Sequence, residues 1–232
     1  MSGVQAEILA EENGRRAVMR HPGLADEVYE AVLSSLMALK IAPGARITVD
    51  TLAREMNVSQ TPIREALGRL EGEGLVTRTH LVGYRAAPQI SRRRFEELYD
   101  LRLLLEPAAA SRAAARMEPQ AFERLKTLAA AMTEPDGSDP RLRYSAFARQ
   151  DAQFHDAVME VAGNELVRQT LAHQHTHFHV FRLVFHSSVT EEALAEHRDL
   201  LAAFSAGDGA AAAGAMRHHI ERSRDRLLPA FD

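Results

Sequence analysis

Residues 57–70 read NVSQTPIREALGRL. Asn57 tolerates the left-handed backbone that ends a preceding helix. Ser59 or Thr61 can cap the next one, and Pro62 suits a first turn, where a missing N–H costs nothing. Ile63, Leu67 and Leu70 then recur on one face, and Gly74 closes the segment. The pattern predicts a helix from about Thr61 to Glu73, buried on one side and polar at its N-terminal end. Working outward, Val49 to Met56 reads as a short helix. Leu24 to Lys40 reads as a longer one, with Leu24, Val28, Val32, Leu36 and Leu39 on a stripe. Leu75 to Thr79 and Tyr84 to Ala87 flank Gly83 as a two-stranded hairpin. Three helices and a hairpin make a winged helix-turn-helix. The major groove admits one helix, presented by its N-terminal end. Gln reads adenine, Arg reads guanine, and a helix N-terminus favours phosphate. Ser59, Gln60, Thr61, Arg64 and Arg69, with the wing-tip Gly83, are therefore the candidate DNA contacts. The competing reading is a small helical domain with an ordinary polar face.

Composition neither requires nor forbids this. The 232-residue chain is 46% apolar and carries a formal charge of −4. Between Arg46 and Arg85 six Arg stand against five acids, so helix-end chemistry rather than charge carries the expectation. The chain has no Cys, which excludes disulfides and thiolate metal sites. No apolar run reaches the ~20 residues of a membrane span, and the N-terminus lacks the apolar region of a secretory signal. A soluble, cytoplasmic protein is expected.

From Arg92 onward the sequence is rich in Ala and Leu and shows no strand alternation. Helices are expected near 92–117, 119–133, 142–162, 164–187, 190–206 and 208–228, with a kink at Pro107. The breaks fall at Glu134–Pro140, Gly163-Asn164, Ser187-Ser188 and Gly207-Asp208. The expected fold class is mainly α, a winged helix-turn-helix followed by an all-α bundle. Residues 1–20 form a flexible segment, 21–88 the DNA-binding domain and 89–232 the helical, dimerising domain.

Nearly all the histidines lie in this second part. Asp151 and His155, four apart, share a helix face. His197 sits mid-face between Leu194, Leu201 and Phe204. His219 borders the stripe of Met216, Ile220 and Leu227, while His218 points away. Three helices thus aim Asp and His side chains into one core. Such a set suits a divalent metal with an open position, and equally suits hydrogen-bonded core histidines. Arg102 and Glu106, also four apart, either pair with each other or leave Arg102 to bind a ligand carboxylate bidentately. In the run from His173 through His175 and His177 to His179, His173 and His177 share a face, and a surface or pocket-lining role is expected rather than a metal one.

Residues 24–87 resemble the DNA-binding domain of the GntR family of bacterial regulators. The resemblance rests on Leu52-Ala53, the run from Asn57 to Leu67, Arg69-Leu70-Glu71, Glu73-Gly74-Leu75-Val76 and Gly83. It implies DNA contacts at Ser59, Thr61, Arg64 and Gly83. The chain departs from the pattern at Gln60, where Arg is frequent, and at Asp50, where some relatives use an Arg on DNA. Residues 92–228 resemble the FCD ligand-binding domain of the FadR subfamily. This rests on the run from Glu97 to Arg102 with Glu106, on Asp151, Phe154 and His155, on Gly163-Asn164, on Glu196-His197-Arg198, and on Gly207-Asp208 with Met216 and His219-Ile220. It implies a metal on Asp151, His155, His197 and His219, with zinc first and nickel, manganese or iron as alternatives. The function implied is a homodimer on a double-stranded, palindromic DNA operator, controlled by a small organic acid bound beside the metal. A regulator answering to the metal alone, and a metal-dependent hydrolase with an appended winged domain, are the rivals from other classes.

Overall fold

The computed structural model describes residues 23–80, 82–132, 140–183 and 188–232. The expected flexible segment 1–20, the break at 134–139 and the expected helix end at 184–187 lie outside the described residues.

Helix α1 (Leu24–Met37) opens with the Asp26 carboxylate accepting from the Gly23 amide at 3.1 Å. Val28, Val32 and Leu36 form its buried stripe. It ends three residues before Lys40, because Leu39 turns to φ 55°. After a turn in which Gly44 takes φ 74° comes β1 (Arg46–Ile47), then α2 (Val49–Glu55). Asn57 is left-handed at φ 54°, as its side chain permits. Helix α3 (Gln60–Gly72) follows, with Ser59 in the cap position but without a side-chain capping bond. Ile63, Ala66, Leu67 and Leu70 are fully buried against α1. Gly74, at φ 72°, turns the chain into β2 (Val76–Thr79) and β3 (Gly83–Ala86). The expected hairpin is in fact two strands of three. β1 pairs antiparallel with β3, Arg46 opposite Arg85, giving the order β1-β3-β2. Two residues carry no period, so β1 had no signature of its own.

The second part is all helical: α4 (Arg92–Ala115), α5 (Pro119–Ala131), α6 (Pro140–Ala162), α7 (Glu165–Ala172), α8 (Thr176–Phe181), α9 (Ser188–Ser205) and α10 (Gly209–Leu227), closed by a 3₁₀ turn at Leu228–Phe231. Helix α4 runs through Pro107 without ending. Asp208 caps α10 by accepting from the amides of Ala210 and Ala211, both at 2.9 Å. Gly209 lets α10 approach α4, since a Cβ there would meet Ser111 Oγ at 2.8 Å. The helix expected over 164–187 is broken. Asn164 caps α7, whose last turn gives way at His173, and His175 is left-handed at φ 45° ahead of α8. His173 and His177 therefore do not share a face; the first is exposed and the second largely buried.

The two parts are stitched at several points. Arg182 Nη2 donates to the Ala87 carbonyl at 3.0 Å, and Gln89 Nε2 donates to the Arg182 carbonyl at 3.1 Å. Arg149 of α6 pairs with Glu30 of α1 at 2.9 Å.

Candidate metal centre and nucleic-acid interface

The long helix α6 delivers Asp151 and His155, one turn apart. Helix α9 adds His197 and α10 adds His219. All four are at most 4% exposed. One ligand atom from each lies within 4.8 Å of the others. His197 Nε2 stands 3.1 Å from Asp151 Oδ1, and His155 Nε2 stands 3.2 Å from His219 Nε2. The inner face of α9 is set by Ala193, Leu200 and Phe204, with Leu194 and Leu201 only half-buried.

Two carboxylates that the sequence reading did not place here stand behind the histidines. Glu106 Oε2 lies 2.7 Å from His155 Nδ1, and Glu196 Oε2 lies 2.8 Å from His219 Nδ1. Each is itself held by an arginine: Glu106 by Arg102 Nε at 2.6 Å, and Glu196 by Arg226 Nη1 at 2.5 Å and Nη2 at 3.0 Å. A carboxylate behind Nδ1 fixes the tautomer in which Nδ1 carries the proton and Nε2 offers a lone pair. Both Nε2 lone pairs then face each other at 3.2 Å, an arrangement that repels unless a cation sits between them. Asp151 Oδ1 and both nitrogens of His197 have no hydrogen-bond partner among the described residues. Buried polar atoms left in this way are costly, and a divalent ion would satisfy Asp151 Oδ1 and one nitrogen of His197 together. The donor set of imidazole and carboxylate therefore fits such an ion.

The electrostatics agree. Burial drives His219 down to about 3 against the pull of Glu196, so the ring is neutral and its lone pair available near pH 7. Burial alone would raise Asp151, but the approach of His197, with His177 and His155 nearby, holds its carboxyl well below the usual range. Glu196, likewise raised by burial, is brought down to about 2 by His219 and Arg226. Burial opposes the charge on Arg102 as well, but Glu106 outweighs it and the guanidinium stays charged.

Of the two expectations for Arg102, the structure shows the salt bridge. The guanidinium is 2% exposed, is engaged by Glu106, and does not line the neighbouring cavity. In this arrangement Arg102 holds Glu106, which holds His155. His177 is the residue that reaches the cluster unannounced. Its Nε2 lies 3.3 Å from Asp151 Oδ2 and lacks a hydrogen-bond partner among the described residues, and its ring lines the cavity. His175 also lines it, His173 is exposed, and His179 is half-buried with Nδ1 unpartnered among the described residues. Burial lowers His177 to about 3 and His179 to about 4.

In the N-terminal part, Ser59, Gln60, Thr61 and Arg64 are all exposed at the N-terminal end of α3. Gln60 Nε2 donates to Asp50 Oδ1 at 2.5 Å, and Arg64 Nη2 donates to Gln60 Oε1 at 3.1 Å. The two departures from the family pattern, Asp50 and Gln60, are thus in contact, and together they aim Arg64. A cleft between α3 and the wing is lined by Arg46, Arg64, Arg78, His80 and Gly83. Arg46 and Arg78 were not singled out from sequence; both are exposed. Gly83, at φ 98°, makes the turn that an L side chain would strain. Arg69 is not part of this group. It lies near the far end of α3, paired with Asp26 at 2.5 Å and stacked 4.2 Å from the Tyr29 ring.

Comparison with known proteins bears on both regions. The model of the gntR family of bacterial regulatory proteins matches residues 24–85, and the FCD domain model matches residues 97–222. An uncharacterized HTH-type transcriptional regulator in an unstable DNA locus of Streptomyces ambofaciens is 29% identical over 203 residues, covering 87% of this chain and 84% of that protein. The HTH-type transcriptional regulator LutR of Bacillus subtilis is 27% identical over 217 residues, covering 83% and 96% respectively. Among solved structures, E. coli McbR/YncC superposes with a TM-score of 0.70 at 19% identity, covering 90% of this chain and 99% of that one. The last likeness establishes the shared fold.

Proposed function

This chain belongs to the GntR family of bacterial regulatory proteins and carries an FCD domain, so it is a DNA-binding transcription regulator, and we propose that it is switched by a small organic acid bound beside a divalent metal. Residues 21–88 form the DNA-binding domain and 89–232 the sensing and dimerising one. The protein acts in the cytoplasm as a homodimer, each α3 entering a major groove of a palindromic operator about one helical turn from its mate. Ser59, Gln60, Thr61 and Arg64 face the bases and phosphates, and the Gly83 wing approaches the backbone. Arg69, spent on Asp26 and Tyr29, ties α3 to α1 instead.

Asp151, His155, His197 and His219 would hold the ion, zinc first, with nickel, manganese or iron also suited to these donors. When bound, it supplies a positive site for the acid's carboxylate. The chain's own residues prepare that site: Glu106 and Glu196 orient two rings, Arg102 and Arg226 keep those carboxylates charged, and burial keeps His219 neutral. The observation that carries the reading is the pair of Glu-His ladders converging on Asp151. The same ladders argue against hydrolysis, since each nearby glutamate is already tied to an arginine and a histidine and is not free to act as a base. The acid must bind one arrangement of the dimer better than the other, or it shifts nothing.

Metal analysis of purified protein tests this. About one divalent ion per chain is expected, and replacing both His197 and His219 by Ala removes it. Unchanged metal content in that variant would overturn the site.

A further inference from the structure

Beside the cluster lies a cavity of about 370 Å³, within the size range of ligand sites. One end is lined by Glu106, His155 and His177, so it opens on the cluster. One wall is not made by the helical part. Tyr29, Leu33 and Met37 of α1, with Leu75 ahead of the wing, form that wall. The first three are spaced by four residues and so share a helix face, distinct from the Val28, Val32 and Leu36 stripe that holds α1 to its own core. Met159, Leu171 and Phe178 face them from the helical part. Two arginines line the cavity, and both are neutralised. Arg168 grips Asp156 with two bonds of 2.7 Å, and Arg149 pairs with Glu30.

From this we propose that the effector is an amphipathic monocarboxylic acid whose apolar tail lies between the sensing helices and the DNA-binding domain. The proposal rests on the carboxylate-beside-metal reading and adds to it the tail and its second wall. The head group meets the cluster, where Nε2 of His177, without a hydrogen-bond partner among the described residues, offers a further polar contact. The tail meets Leu33 and Met37 on one side and Met159 and Phe178 on the other. A second carboxylate on the tail would be buried among these apolar side chains, since the cavity's arginines are already paired, and so is disfavoured. Because α1 is one wall, a tail that fills the cavity bridges α1 and α6 directly. The DNA-binding domain then senses the ligand by touching it.

Calorimetric titration of the metal-loaded, full-length protein with n-alkanoates from acetate to octanoate, and with octanedioate, tests this. Affinity should rise about fourfold per methylene until the cavity is full. Octanedioate should bind at least about tenfold more weakly than octanoate. Leu33→Gln, from the DNA-binding side, and Ala152→Phe, which fills the cavity from α6, should each flatten the chain-length dependence. Octanoate should also slow hydrogen exchange in residues 24–37, and acetate should not. Two variants on opposite walls keep the test usable if one fails to fold. Affinity independent of chain length, or octanoate binding that neither variant alters, overturns the bridging tail while leaving the carboxylate site standing. Failure of every acid, acetate included, to bind the metal-loaded protein overturns that underlying reading together with this one.

Discussion

Glu196 touches no ligand in the proposed scheme, yet it fixes the proton on His219 and is itself clamped by Arg226. Carboxylates in this position typically set metal affinity by 10–100-fold. Glu196→Gln should therefore weaken the metal by about that factor in a chelator competition, while the stoichiometry at saturating metal stays the same. An affinity equal to the parent's would mean the ladder is only structural. The four cluster residues were legible in the sequence because helical spacing put each on an inner face. Glu106 and Glu196 were not, because their partners lie 49 and 23 residues away on other helices. On the DNA face, Asp50 and Gln60 look from sequence like two separate departures, and the structure joins them. Asp50→Ala releases the Gln60 amide and with it Arg64. In a selection from random DNA, the variant should prefer a different sequence at the positions those two side chains read, with non-specific affinity nearly unchanged. An identical selected sequence would show that Asp50 does not aim them.

Among the helices of the second part, α8 is the one that periodicity could not define. Nothing between His173 and Phe181 is Gly or Pro, the usual marks of a break, and the chain turns at His175 against its conformational preference. That turn is what brings His177 to Asp151. The long helices α6 and α10 were legible because their apolar stripes and the turns at Gly163 and Gly207 are strong signals. Helices α8 and α10 also give the molecule a pH dependence. His177 and His219 are lowered from an ordinary 6.5 to about 3 by burial. Between those values the unfolded chain binds protons that the folded chain excludes. Stability of the metal-free protein is then highest above about pH 6.5 and falls as pH drops toward 4, by at most about 1.4 kcal/mol per pH unit for each ring. Denaturant melts at pH 7, 6 and 5 should show this slope before the carboxylates begin to contribute below about 4.5. A flat profile would mean that the rings are not buried neutral. At the end of α9, Asp208 caps α10 with two bonds. Asp208→Ala should cost about 1 kcal/mol of stability, measured in the same melts.

On the scale of the whole molecule, the two sites belong to parts that share one hydrophobic core and are joined among the described residues by the Glu30–Arg149 pair, the Arg182 and Gln89 bonds about the linker, and the walls of one cavity. The division into a winged helix and a helical bundle could be read from turn residues and from the change of period near Pro88. The shared cavity could not, because its walls join α1 and Leu75 to helices far along the chain. Control of DNA binding by a ligand requires such a connection, and reciprocity requires that operator DNA alter ligand affinity by the same factor. The most direct measurement of the central claim is operator affinity, by fluorescence anisotropy on a fragment selected from random DNA, in four states: metal-loaded and metal-stripped protein, each with and without octanoate. The account predicts that the acid changes the affinity by about fivefold or more in the metal-loaded protein and leaves it unaltered in the stripped one. One affinity across all four states would contradict it.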